Sequence, residues 1–101
     1  MKSNYFNVGT IVGTRSIHDL MEKDAGFALD IMVALDRYCN KDWGELCKGD
    51  CALNEEALKN PDDLYLLGVY KTCRGTVDII TNRISEVAGD NATTICFPNE
   101  R

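Results

Sequence analysis

Leu64-Tyr65-Leu66-Leu67-Gly68-Val69-Tyr70-Lys71-Thr72, followed by Cys73-Arg74-Gly75 and then Thr76-Val77-Asp78-Ile79-Ile80-Thr81-Asn82, decides the fold. Leu, Ile, Val, Tyr and Thr dominate both runs, and such side chains suit a pleated surface. Arg74-Gly75 stands where a tight hairpin turn wants glycine. The segment therefore predicts two antiparallel strands, over 64–72 and 76–82. Beyond a polar loop containing Gly89-Asp90-Asn91, a third strand is expected over 92–97, ending at Pro98. Three consecutive strands with short links form an antiparallel meander.

Upstream of Pro61 the pattern changes to helical. Ser16 is a suitable N-cap, with Asp19 in the first turn of a helix over 17–22. Asp24 caps a longer helix over 25–38. Its apolar positions Phe27, Ile31, Ala34, Leu35 and Tyr38 form one stripe, which Ala28, Met32 and Val33 widen, so this helix is expected to be central. Asn40 to Leu46 reads as a turn and a short helical piece. Asp50 caps a helix over 51–59, with Leu53, Ala57 and Leu58 inside and Asn54, Glu55 and Lys59 outside. Asn60-Pro61 stops it. Residues 5–13, with two glycines and several β-branched residues, read as a short strand or an extended arm. The expected fold class is α+β: one domain over residues 1–101, its N-terminal helices on a C-terminal three-stranded meander, with an N-terminal strand as an optional addition. The expected core is Phe27, Ile31, Leu35, Leu53, Leu58, Leu67, Val69, Ile79 and Ile95.

A chain of 101 residues can bury a modest core as one domain. No apolar run approaches a bilayer-spanning length. Met1 to Asn7 carries one basic residue and no apolar stretch follows, which points to a cytoplasmic chain. The net charge is −5, and residues 36–63 supply most of it, with eight acids against four bases. A nucleic-acid binder concentrates bases in a stripe, so no direct nucleic-acid binding is expected. The acidic stretch is either a face for a basic partner or plain solvated surface.

Few residues offer chemistry. The odd set of five cysteines (39, 47, 51, 73 and 96) argues for free thiols rather than a disulfide framework. Cys47 and Cys51 lie four apart, but Gly49-Asp50 suggests a helix break between them, and a closed zinc site needs about four ligands. No metal, cofactor or catalytic residue is expected. His18 is the only histidine, and no flanking motif makes it a base for a cysteine. Gly9-Thr10-Ile11-Val12-Gly13-Thr14 lacks the lysine of a phosphate loop and the third glycine of a dinucleotide fingerprint. Asp42-Trp43-Gly44-Glu45 is the most individual stretch. Trp43 is either an interface anchor or a plug at one end of the core. As a contact surface the candidate residues are Asp42, Trp43, Glu45, Glu55 and Glu56.

The ordered segments Phe6-Asn7-Val8-Gly9, Asp42-Trp43-Gly44-Glu45, Asn54-Glu55-Glu56-Ala57-Leu58, Leu66-Leu67-Gly68-Val69-Tyr70, Ile79-Ile80-Thr81 and Thr93-Thr94-Ile95-Cys96-Phe97-Pro98-Asn99-Glu100 carry a resemblance. The chain resembles a family of small proteins encoded on bacterial plasmids and integrative elements. It departs from that pattern at Asp78, where an apolar residue such as Trp is expected, at Asn82 in place of Glu, in a longer loop over 83–91, and in its cysteines. The family has no assigned activity and lends no catalytic residue. The resemblance implies a mobile-element accessory protein in a bacterial cytoplasm. Three readings follow: a non-catalytic protein acting through contact with an unidentified protein partner, a host-defence antagonist of antirestriction or anti-CRISPR type with an acidic surface, or a small enzyme of unrecognised class.

Overall fold

Among the described residues the sheet has four strands rather than three, because the N-terminal glycine-containing segment joins it. A computed structural model describes residues 2–60, 64–87 and 90–101. Met1, the predicted helix stop Pro61, the acids Asp62 and Asp63, and Gly89 of the predicted loop lie outside the described residues. The elements run β1 (Thr10–Gly13), α1 (Arg15–Lys23), α2 (Ala25–Cys39), α3 (Lys48–Leu58), β2 (Tyr65–Thr72), β3 (Gly75–Arg83) and β4 (Asn91–Cys96), closed by a 3-10 turn over Pro98–Glu100. The spatial order is β1-β4-β3-β2. β2, β3 and β4 form the expected antiparallel meander, and Thr72 pairs with Gly75 across the two-residue hairpin loop. β1 runs parallel to β4, with Val12 opposite Thr94. The fold is α+β.

The helix starts follow local capping chemistry. Thr14, not Ser16, caps α1 and accepts from the Ile17 amide at 3.4 Å. Asp24 caps α2 through the Phe27 amide at 3.1 Å. α3 begins after Cys47 and runs unbroken through Gly49 and Asp50, so the expected break between Cys47 and Cys51 is absent. Asp50 lies in its first turn, where a carboxylate suits the helix dipole.

The core lies between α2 and one face of the sheet. Phe27, Ile31, Ala34, Leu35 and Tyr38 meet Leu66, Tyr70, Val77, Ile79 and Ile95, all buried. Two expectations need correcting. On β2 the inward face is Leu66, Gly68 and Tyr70, and Leu67 and Val69 are half-buried on the other side. Gly68 sets this phase: a Cβ there would lie 2.8 Å from the Tyr38 ring and 2.4 Å from the Tyr70 hydroxyl, so the bare backbone makes room for two tyrosines. On α3, Leu53 is 67% exposed while Asn54 is buried. Leu58 is half-buried against the core with Cys51 and Ala57.

A chain of hydroxyls crosses this core. Tyr38 donates to Thr81 at 2.7 Å, Thr81 and Thr93 share a 2.7 Å bond, and Thr93 donates to the Val8 carbonyl at 2.7 Å. Buried polar groups must be paired, and this series pairs each of its members. It also fastens the N-terminal arm, which Asn91 holds again through the Asn7 carbonyl at 2.9 Å. Burial pushes the Tyr38 hydroxyl well above the usual phenol range.

Asp78 is buried on β3 opposite Cys96 of β4. Its Oδ2 lies 2.9 Å from Arg101 Nε, although no well-aligned hydrogen bond forms there. Burial raises its carboxyl pKa, and Arg101 opposes the rise. A carboxyl whose folded pKa exceeds its unfolded value contributes stability while protonated, and that contribution is lost as pH rises through the folded pKa. The thermal midpoint of Asp78→Asn should therefore gain on that of the unaltered protein as pH rises above about 4, the usual carboxylate range. Asp24, Asp42 and Glu100 have lowered pKa values and act with the opposite sign, but they are common to both proteins and cancel in the difference. A difference that does not change with pH would show that Asp78 titrates normally.

Candidate contact surface

The stretch after α2 is not helical. Lys41 takes a left-handed φ of 64°, and the chain then meets β2 at one point. Gly44 forms a parallel bridge with Val69: Val69 N donates to the Trp43 carbonyl at 3.1 Å, and Glu45 N donates to the Val69 carbonyl at 2.7 Å. Gly44 has φ 71°, and a Cβ there would lie 1.9 Å from the Val69 carbonyl oxygen, so only glycine fits. This closeness carries Trp43 inward. Its ring is 5.5 Å edge-on from Tyr38 and 6.2 Å from Phe6, and the residue is 5% exposed. Of the two readings of Trp43, the structure shows the plug. As an anchor the ring would have little surface to offer.

The four candidate acids Asp42, Glu45, Glu55 and Glu56 are exposed, but each has a base beside it. Asp42 receives Arg37 through Nε at 2.8 Å and Nη2 at 3.2 Å. This forked bond holds the Asp42 carboxyl below the usual carboxylate range. Glu45 lies 3.9 Å from Lys71, Glu55 3.7 Å from Lys41 and Glu56 3.5 Å from Lys59. Exposed pairs of this kind contribute about 0–1 kcal/mol. Their relevance here is to the surface field: at Asp42, Glu45, Glu55 and Glu56 the negative charge is set beside a positive one.

The other candidates stand apart from one another. The His18 ring lies against Gly13 at the start of α1. Cys39 and Cys96 are buried, and burial raises both thiols. Cys47 and Cys73 are exposed. Among the described residues, no group of three or more His, Cys, Asp or Glu side chains is placed to hold a metal ion. The open hollow under the N-terminal arm is lined by residues 2–9, which include no carboxylate, imidazole or thiol. Among the described residues, no helix is long and apolar enough to cross a membrane.

The surface feature that sequence reasoning missed is on α2. Leu29, Met32 and Val33 are 65%, 49% and 51% exposed. Their spacing of i, i+3 and i+4 puts them on one side of the helix, opposite the Phe27, Ile31 and Tyr38 stripe. Met32 and Val33 do not widen the buried face; they form a second apolar face in water. The signal was present in the sequence, since Phe27 to Leu35 is apolar at every position except Asp30. A helix apolar all round is expected to be buried on all sides, and here one side has nothing over it among the described residues.

Compared with known families, curated proteins and solved structures, the chain matches none of them.

Proposed function

We propose that this protein is a non-catalytic accessory protein of a bacterial plasmid or integrative element, acting in the cytoplasm through protein–protein contact. The contact is carried by α2, laid into an apolar groove of the partner. The observation behind this reading is the exposed triad Leu29, Met32 and Val33. Large apolar side chains at this spacing are the anchors of helix-in-groove recognition, and leaving three of them in water has a cost that binding removes. The mobile-element setting rests on the ordered segments that carry the family resemblance. The antagonist reading draws less support, because a surface imitating nucleic-acid phosphates needs unopposed carboxylates, and Asp42, Glu45, Glu55 and Glu56 each lie beside a cation.

The test is affinity capture from a bacterial host with three forms of the protein. A partner held by the unaltered protein should also be held by Glu55→Lys/Glu56→Lys, and lost by Leu29→Ser/Met32→Ser/Val33→Ser. Loss with the charge reversal alone would move the contact back to the acidic stretch. Capture of a restriction endonuclease or an effector complex would favour the antagonist.

A further inference from the structure

The two edges of the sheet are finished differently. On the β2 edge, the main-chain groups of Leu67 are both held by the Asn54 side chain, at 2.7 and 3.1 Å, and those of Val69 by Trp43 and Glu45. That edge is closed to further strands over its middle. On the β1 edge, Thr14 N donates to the Ile95 carbonyl at 3.1 Å. Thr10, Val12 and Thr14 therefore turn their main chain toward β4. Ile11 and Gly13, alternating with them, turn their N–H and C=O groups outward. Among the described residues, no hydrogen bond reaches these four groups. An unpaired edge is a template for another strand. Val12 stands on the same edge, 42% exposed, on the face away from the helices.

We propose that this edge is occupied by β1 of a second copy of the chain, paired antiparallel about a two-fold axis at Val12. The register follows from the geometry. Each chain offers two outward residues, and only pairing Ile11 with the copy's Gly13 uses both residues of both chains. A two-fold at Ile11 would set Gly13 against Gly9, which has φ 63° and whose N–H is already held by Asn7 at 2.9 Å. A two-fold at Gly13 would set Ile11 against Arg15, the first residue of α1. With the axis at Val12, four N–H···O=C bonds form, and the two Val12 side chains face each other as a non-hydrogen-bonded pair, with Cα atoms about 4.5 Å apart. The sheet becomes continuous over eight strands. A four-residue edge buries far less than the roughly 1,200 Å² of a stable interface, so the dimer is weak and depends on concentration.

Two measurements test this. In a Cys47→Ser/Cys73→Ser background, which removes the two exposed thiols, Val12→Cys should cross-link between copies with oxidised glutathione about tenfold faster than Thr10→Cys, because only the pair at the axis meets disulfide geometry. In the unaltered protein, exchange of the Ile11 and Gly13 amide hydrogens should slow about tenfold between micromolar and millimolar protein, as the outward N–H groups become bonded. Equal cross-linking of the two cysteine variants, with exchange independent of concentration, would overturn the proposal and leave the edge to a strand of some other protein or to solvent.

Discussion

Replacing Ile31 by alanine is expected to lower stability by roughly 2–5 kcal/mol, while replacing Met32 beside it changes stability by no more than about 0.5 kcal/mol. Both residues are large, apolar and on the same helix turn, but Ile31 is fully buried among the core side chains and Met32 is half exposed. Truncating Ile31 removes its burial and leaves a cavity that neighbouring side chains fill only in part. Truncating Met32 removes contacts mainly with water, and alanine is the better helix former. Urea unfolding midpoints of the two variants check this. Similar losses at both positions would mean that α2 is covered on both sides.

The second large effect is expected at Asn54. Its amide donates to the Leu67 carbonyl at 2.7 Å and accepts from the Leu67 N–H at 3.1 Å, in a buried position. Asn54→Ala leaves both main-chain groups without a partner, and each unsatisfied buried group costs about 1–3 kcal/mol. A loss of roughly 2–4 kcal/mol follows, with faster hydrogen exchange at the Leu67 amide. The neighbouring Glu55→Ala removes only an exposed ion pair and should change stability by less than about 1 kcal/mol. An Asn54→Ala variant as stable as the parent would show that water replaces the side chain on that edge.

These residues also show where the sequence could be read and where it could not. Strand and helix positions were legible because the signals are local: Asp24 as a cap, Arg74-Gly75 as a turn, and the Phe27-Ile31-Leu35 spacing of α2. The parallel docking of β1 was not, because it depends on Thr93 and Asn91, over eighty residues away, holding Val8 and Asn7. The phase of β2 was hidden because Leu64 to Tyr70 has no charged residue to mark a solvent face, and the choice falls to Gly68 beneath Tyr38. The rotation of α3 was misjudged because hydrophobicity puts Leu53 inside, whereas the bonding needs of an open strand edge put Asn54 there. The bases beside the candidate acids were hidden for a similar reason. Counting acids finds a negative stretch, but the bases that oppose it include Lys71, which β2 brings alongside Glu45 from outside that stretch. The apolar triad of α2 was visible in the sequence, but Met32 and Val33 were assigned to the core and Leu29 to no face.

The central claim is that α2 is the contacting element. Methyl-labelled protein titrated with the captured partner tests it most directly, by following the Leu29 δ, Met32 ε and Val33 γ methyl signals in NMR spectra. The account predicts that these signals shift or broaden first and most strongly, with the buried Ile31 methyl groups following only weakly. Unchanged signals at all three residues, with perturbation confined to the amides of residues 42–56, would contradict it.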